Sequence, residues 1–284
     1  MNINWFPGHM KKTMDKLKEN IRLVDVVFEM IDARIPQSSS NPMLRELTYG
    51  KELIYLLNKT DLADPEKTAL WRASFDANDV SYFEINAKSK ASLNQLMRFT
   101  MDVIQKKHAP KKEKGVRMVT VRAMVIGIPN IGKSTLINTI HGSTRAQVGN
   151  RPGVTKRDAW IKVSNELMLL DTPGVLWPKF ESELQGRKLA YTGAIKDEIL
   201  DTQDLAFYFL EDMRSLYPER FEHRYGVDMN MTSLDIMEQI AKKSGKLLRG
   251  GDVDYEAVSR IILDDFRSGR LGRMTLEVPD EHVG

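Results

Sequence analysis

The sequence predicts an α/β fold followed by a smaller all-helical unit, and three observations carry that expectation. Short apolar runs rich in β-branched and aromatic residues, at 24–31, 52–57, 80–85 and 119–126, alternate with stretches of helical periodicity. That alternation belongs to a mostly parallel sheet covered by helices. The fourth run feeds the stretch Gly127-Ile128-Pro129-Asn130-Ile131-Gly132-Lys133-Ser134-Thr135 and a helix-like segment to Ile140, which is the strand–GxxxxGK[ST]–helix context of a phosphate-binding loop. From Lys179 onward the texture changes, and only helical patterns are convincing, over about 183–195, 202–216, 232–243 and 254–267.

The bulk numbers set bounds on the function. A chain of 284 residues with 42% hydrophobic and 29% charged residues has room for one large or two moderate domains of ordinary globular composition. No run of 18 apolar residues is present, so no membrane-spanning helix is expected, and Met1–Asn20 lacks the apolar core of a signal peptide. The absence of cysteine excludes disulfides and thiolate metal sites and fits a reducing, cytoplasmic setting. The net charge of +3 hides clustering: residues 106–117 hold six Lys/Arg against one Glu, 242–249 hold four with no acid, and 267–273 hold three arginines. Three such clusters on a chain with a phosphate-binding loop point to a polyanionic partner, RNA in the first instance.

Taken in order, the chain begins with Trp5-Phe6-Pro7-Gly8-His9-Met10, a Pro-Gly turn leading into a basic amphipathic helix that repeats Met10, Met14, Leu17 and Ile21. The strand Val24–Ile31 ends at Asp32-Ala33-Arg34; residues 35–42 have loop composition, and a short helix over 43–48 precedes the strand at 52–57. At the end of that strand stands Asn58-Lys59-Thr60-Asp61. A carboxylate at Asp61 can accept from both guanine N1–H and the exocyclic amine, a donor pair that adenine lacks, so this residue would choose the base. Asn58 would bond the N7 edge and tie the loop together, and the Lys59 stem would lie on the base face. A helix over 66–78 and a strand over 80–85 lead to Asn86-Ala87-Lys88, where the Ala87 N–H would reach guanine O6. The apolar stripe Leu93, Leu96, Met97, Met101, Ile104 then reads as core packing of a helix. The basic segment 106–117 is the natural linker.

In the phosphate-binding loop the glycines allow a tight turn, and backbone N–H groups from Asn130 to Thr135 would point at phosphate oxygens. Lys133 would reach the β- and γ-phosphates, and the Ser134 hydroxyl would ligate Mg²⁺. Beyond the polar loop 142–153, Thr155 is placed to close on Mg²⁺ and the γ-phosphate. Strands at 159–163 and 167–170 form a hairpin ending in Asp171-Thr172-Pro173-Gly174. Here Asp171 would hold Mg²⁺ through water, and the Gly174 N–H would sense the γ-phosphate.

Together these motifs resemble the translation-factor-related GTPases, with one difference of order. That class runs phosphate loop, switch Thr, DxxG, NKxD, SAK, whereas here NKTD (58–61) and NAK (86–88) precede GIPNIGKS (127–134), Thr155 and DTPG (171–174). The order is circularly permuted, which is tolerated where old termini lie close and the new junction is flexible. WFPGHM, DAR, NKTD, GIPNIGKST, GVTK, DTPGVLWP and Gly186–Ile195 give a closer resemblance, over nearly the whole chain, to the bacterial ribosome-biogenesis GTPase A (YlqF-type) family. The NAK tripeptide departs from the usual SAK. The resemblance implies a permuted G domain over 1–178, joined near 106–117, and a helical C-terminal domain over 179–284 that contacts the ribosome. It also implies GTP hydrolysis in late assembly of the large (50S) subunit, with rRNA and ribosomal proteins as partners.

The sequence lacks a glutamine just after DxxG, the residue that orients water in many GTPases; Val175 and Leu176 stand there. Intrinsic hydrolysis is therefore expected to be slow and to accelerate, by roughly 10³–10⁵, when a partner orders the site. His9 is the candidate to position water, because the family places its N-terminal motif beside the switches. Asn130 is the candidate to recruit K⁺, which substitutes for an arginine finger in related enzymes. The short step from DTPG to the helical region suggests that GTP state sets the grip of the clusters at 242–249 and 267–273 on rRNA. A nucleotide-binding scaffold with little turnover, an enzyme using GTP as donor to another small molecule, and a GTPase of the small subunit are the rival readings.

Overall fold

In the computed structural model, residues 10–108, 120–143, 160–171, 180 and 182–279 are described. A six-stranded sheet organises them: β1 (Val26–Asp32), β2 (Glu52–Asn58), β3 (Tyr82–Ile85), β4 (Val121–Gly127), β5 (Trp160–Lys162) and β6 (Leu167–Asp171), in the order β3-β2-β1-β4-β6-β5. Every neighbouring pair is parallel except β5–β6 at the edge, which is antiparallel, as a hairpin requires. All seven residues of β1 are buried, which is why the run is largely apolar rather than alternating, Glu29 and Asp32 excepted.

Strand register levels the carboxyl ends of the central strands. Asp32 of β1 is opposite Asn58 of β2, which is opposite Ile85 of β3, and Met30 of β1 is opposite Gly127 of β4. The loops that begin after Asp32, Asn58, Ile85 and Gly127 therefore emerge along one edge. In open α/β sheets that edge is where ligands bind.

Side-chain alternation divides the packing between the two faces. Val27, Met124, Ile126 and Leu170 pack against Leu17 and Ile21 of helix α1 (Met10–Arg22) and Leu44 of the short α3 (Leu44–Leu47). Val26, Phe28, Met30, Ile54 and Val125 face the other way. They share a core with α5 (Lys90–His108), α6 (Lys133–Ser143) and the helices of the C-terminal half. Helix α4 (Pro65–Ala77) covers the β2–β3 edge, where Phe75 stacks on Tyr55 and touches Tyr82. Its start is set by Asp64, whose carboxylate accepts from the N–H groups of Glu66 and Lys67, and by Pro65 at the first turn.

The C-terminal half consists of α7 (Glu183–Tyr191), α8 (Thr202–Leu216), α9 (Pro218–Tyr225), α10 (Ser233–Ser244) and α11 (Tyr255–Arg267). Ser182, Asp201, Thr232 and Asp254 cap four of these helices with side-chain oxygens. Residues 273–279 then return to the sheet: Met274 N–H donates to Leu62 O (3.0 Å) and Leu276 N–H to Arg34 O (2.8 Å).

Four details differ from expectation. The loop 35–42 contains one helical turn, α2 (Pro36–Ser39), because Pro36 presets its first position. The helix expected over 183–195 stops at Tyr191, and Gly193 takes up a left-handed conformation (φ 76°) that ends it. Helix α9 was not anticipated; Pro218 restarts the helix after the Tyr217 break. An isolated bridge joins Leu247 to Val253, so 246–254 is a small hairpin rather than a plain loop.

Candidate nucleotide-binding site

The phosphate-loop motif leaves β4 at Gly127, opposite Met30 of β1. A Cβ on Gly127 would lie 2.7 Å from the Met30 carbonyl oxygen, so the strand can turn only without a side chain there. The loop then passes through left-handed conformations at Asn130 (φ 56°) and Gly132 (φ 113°), and α6 begins at Lys133. Its first turn is closed by Leu136 N–H on Gly132 O (2.9 Å). The N-terminus of α6, the kind of helix end that takes an anion, thus sits at the same edge as the strand ends.

The base-loop motif meets this loop directly. Asn58 Nδ2 donates to Ile131 O at 2.7 Å. Gly132 makes that approach possible, since a Cβ there would lie 2.5 Å from Asn58 Nδ2. The third motif joins through α6: Thr139 Oγ1 donates to Ala87 O (2.7 Å), while Asn86 Oδ1 accepts the Lys88 N–H (3.0 Å) and shapes the turn. Residues 58–61, 86–88 and 127–135, distant in sequence, converge on one cradle.

Within it, Asp61 is exposed at the loop tip and Thr60 is half-buried beside it. Lys59 adopts a positive φ of 62°, and its ammonium lies 3.1 Å from Asp32 Oδ2. Asp32 also receives a bidentate guanidinium, Arg34 Nε on Oδ1 (3.0 Å) and Nη2 on Oδ2 (2.8 Å), together with the Arg34 N–H (3.0 Å). Burial pushes the Asp32 carboxyl up, but the Arg34 and Lys59 charges and the Arg34 hydrogen bonds outweigh it and hold the group well below the usual carboxylate range. Lys133 is buried, and its ammonium donates to Gly127 O (2.8 Å) and Ile128 O (2.9 Å), folded across the loop it serves. Ser134 is exposed on the first turn of α6, and Thr135 is half-buried behind it. Asn130 Nδ2 donates to Gly193 O (2.7 Å), so the phosphate loop is tied to the turn that ends α7.

His9, Thr155 and Gly174 lie outside the described residues. Asp171 ends β6 opposite Val125, and only its backbone is described. A cradle that a Cβ would fill, a helix N-terminus and a lysine fit a phosphate group. A serine hydroxyl on the first turn is a hard oxygen donor of the kind Mg²⁺ takes. When bound, Mg²⁺ supplies charge neutralisation to the phosphates.

Sequence reasoning assigned no role to Asp32 and Arg34, to Thr139, or to residues 274–277; Asp32 and Arg34 pair locally, but the link of Asp32 to Lys59, the bond of Thr139 to Ala87 and those of 274–277 are long-range and leave no local spacing. One expectation needs correction. The arginines of 267–273 are engaged internally: Arg267 with Asp197 and two carbonyls, Arg270 with Asp265, and Arg273 with Ala63 O and Thr60 O. That cluster is structural rather than a free grip on RNA. In 242–249 every residue is exposed, and among the described residues Lys246 and Arg249 enter no ion pair. Of 106–117, residues 109–117 lie outside the described residues.

Comparison with known proteins agrees with this geometry. The profile of a family described as "50S ribosome-binding GTPase" matches residues 122–240. Ribosome biogenesis GTPase A of Bacillus pumilus is 44% identical over 281 residues, covering 99% of this chain and 100% of that protein. The Thermotoga maritima protein of that name is 31% identical over 287 residues, covering 98% of this chain and 95% of its own. Among solved structures, GNP-bound YlqF from T. maritima superposes with a TM-score of 0.66 at 27% identity, covering 95% of this chain and all of that one.

Proposed function

The chain is a GTP-hydrolysing member of the ribosome biogenesis GTPase A family, and from that premise we propose that it acts in late assembly of the large (50S) ribosomal subunit, slow alone and accelerated by the subunit precursor. The 2.7 Å bond from Asn58 to the Ile131 carbonyl carries the reading of the site, because it brings the base-choosing loop and the phosphate loop to one cradle. In this reading Asp61 accepts from guanine N1–H and the exocyclic amine, Ala87 N–H donates to O6, and the Lys59 stem, steered by Asp32, covers the base. Lys133 exchanges its two loop carbonyls for the β- and γ-phosphates. Ser134 and Thr155 would hold Mg²⁺ directly and Asp171 through water, the ion supplying charge neutralisation to the phosphates, and the Gly174 N–H would report the γ-phosphate.

Hydrolysis needs a water placed in line with the γ-phosphate and compensation for developing charge. His9 is assigned the first role. Asn130, whose Nδ2 is held by Gly193 O, is assigned a K⁺ ion for the second. The same bond offers a path from the phosphate loop to the helical half, residues 179–284, by which GTP state would control ribosome binding in the cytoplasm. Turnover is expected to rise by roughly 10³–10⁵ when purified 50S particles are added, and to be higher in potassium than in sodium buffer. His9→Ala should bind GTP normally and lose the stimulation. Equal turnover with 50S, 30S and no particles would refute the partner assignment.

A further inference from the structure

The returning segment Arg273–Glu277 lies against the base loop through more bonds than a passing tail needs. Arg273 Nη2 donates to Thr60 O (2.9 Å), Arg273 Nε to Ala63 O (2.8 Å), and Met274 N–H to Leu62 O (3.0 Å). Thr275 Oγ1 accepts the Asp64 N–H (3.0 Å), and Lys67 Nζ donates to Thr275 O (2.9 Å). The carbonyls on both sides of Asp61 are therefore held from the far end of the chain, while the Asp61 side chain itself is exposed and has no such hold. Inside the loop, only Leu62 N–H to Lys59 O (2.9 Å) and Ala63 N–H to Thr60 O (3.4 Å) shape the turn, and Lys59 sits at a positive φ that favours glycine.

The segment is anchored equally firmly on its other edge. Leu276 N–H donates to Arg34 O (2.8 Å), and Thr275 Oγ1 reaches Ala33 O (3.2 Å). The buried Glu277 carboxylate accepts the Gln37 N–H (2.8 Å), the Ser38 N–H (3.1 Å) and the Ser38 hydroxyl, and pairs with Lys188 (3.2 Å). Tyr217 Oη completes the hold, accepting Thr275 N–H (3.0 Å) and lying 3.0 Å from Asp64 Oδ2. Thus Arg273–Glu277 bridges the loops that follow β1 and β2, fixed to α2 and α7 on one side and offering donors to the base loop on the other.

We propose that Arg273–Glu277 is a positioning element for guanine recognition: it sets where the Asp61 carboxylate stands, so base discrimination depends on Arg273, which is 213 positions from the Thr60 whose carbonyl it holds. The proposal rests on the reading of 58–61 as the base loop. Linkage makes the coupling reciprocal: guanine nucleotide binding tightens the segment, and a partner that displaces the segment loosens guanine nucleotide.

The test compares GDP with inosine diphosphate, which lacks the exocyclic amine, by titration calorimetry on the full chain well below its thermal midpoint. Arg273→Ala removes two hydrogen bonds and should weaken GDP binding by about tenfold, while weakening inosine diphosphate less, so that the ratio of the two dissociation constants falls toward one. Arg273→Lys retains a cationic donor for one carbonyl and should restore part of the ratio. A folded Arg273→Ala protein with the wild-type ratio, or with both ligands weakened equally, overturns the proposal and assigns the segment to stability alone. Asp61→Asn separates this from failure of the base-loop reading: if wild type prefers neither nucleotide and Asp61→Asn changes nothing, that reading falls first. Should Arg273→Ala not fold, hydrogen exchange on the wild type decides. GDP should slow exchange of the Met274 and Leu276 amides, and unchanged exchange overturns the coupling.

Discussion

Asp32 shows how much a single side chain at the sheet edge can organise. It is 1% exposed, it takes a bidentate guanidinium from Arg34 and an ammonium from Lys59, and the Ser39 hydroxyl accepts its own N–H (2.9 Å). Removing one partner of such a buried pair leaves the other charge uncompensated. Asp32→Ala is therefore expected to lower stability by about 3–5 kcal/mol in urea unfolding. The pH dependence follows from the depressed pKa. A carboxyl held below its unfolded value of about 4 contributes its full stabilisation above that pH. The contribution is lost as pH falls through the folded pKa, so the wild type should lose stability progressively below about pH 4, and Asp32→Ala should flatten that acid limb. Gly132 is the second decisive residue. Gly132→Ala puts a Cβ against Asn58 Nδ2 at a φ of 113° that L-residues avoid. Fluorescent GDP titration should show at least a tenfold loss of affinity with near-native circular dichroism. Gly132 was legible in the sequence because its need is local, a glycine at a fixed place in a phosphate loop. The role of Asp32 was not: DAR stood out as a tripeptide, but its meaning lies in Lys59, which only the β1–β2 register brings alongside.

At the scale of elements, the strands and most helices could be read directly, because burial on both faces gives β1, β2 and β4 continuous apolar runs and capping residues mark helix starts. Element ends were harder. Helix α7 stops at Tyr191, four residues before the periodicity does, because Gly193 takes a left-handed conformation, in which its carbonyl accepts from Asn130. No sequence period records a bond made to another element. Charge clusters divide the same way. Composition cannot distinguish 267–273 from 242–249, yet the first spends its arginines on Asp197, Asp265 and the base loop, while the hairpin after α10 presents Lys246, Leu247, Leu248 and Arg249 to solvent. A phosphate-binding element is expected there. If it contacts RNA backbone, Lys246→Ala with Arg249→Ala should weaken association with 50S particles and lower the slope of log affinity against log salt by about two, one for each charge removed. Neither side chain is buried, so the thermal midpoint should stay within a degree or two of wild type. Unchanged salt dependence in a co-sedimentation series would return this hairpin to a solvated turn.

At the scale of the whole molecule, the change of texture at Lys179 suggests two domains, and packing supplies a test of their independence. Phe28, Met30 and Ile54 of the sheet belong to the same buried cluster as Phe209, Ile262 and Phe266 of the helical half. The Arg34 guanidinium, paired with Asp32 at the sheet edge, also lies 5.0 Å over the Phe266 ring. Residues 273–277 then close the arrangement by returning to the loops after β1 and β2. Two units joined through one core and a shared charge network have little reason to melt apart, since opening either exposes the apolar surface of the other. Urea unfolding should therefore give one transition, with tryptophan fluorescence, which reports Trp5, Trp71, Trp160 and Trp177, all before Lys179, coincident with the helical signal at 222 nm, to which both halves contribute. Phe266→Ala should shift both curves together by about 3–5 kcal/mol. A fluorescence transition left in place while part of the helical signal moves would show two separately stable domains, and the coupling between nucleotide state and the helical half would then have to run through individual bonds such as Asn130 to Gly193 and Arg273 to Thr60 rather than through a common core.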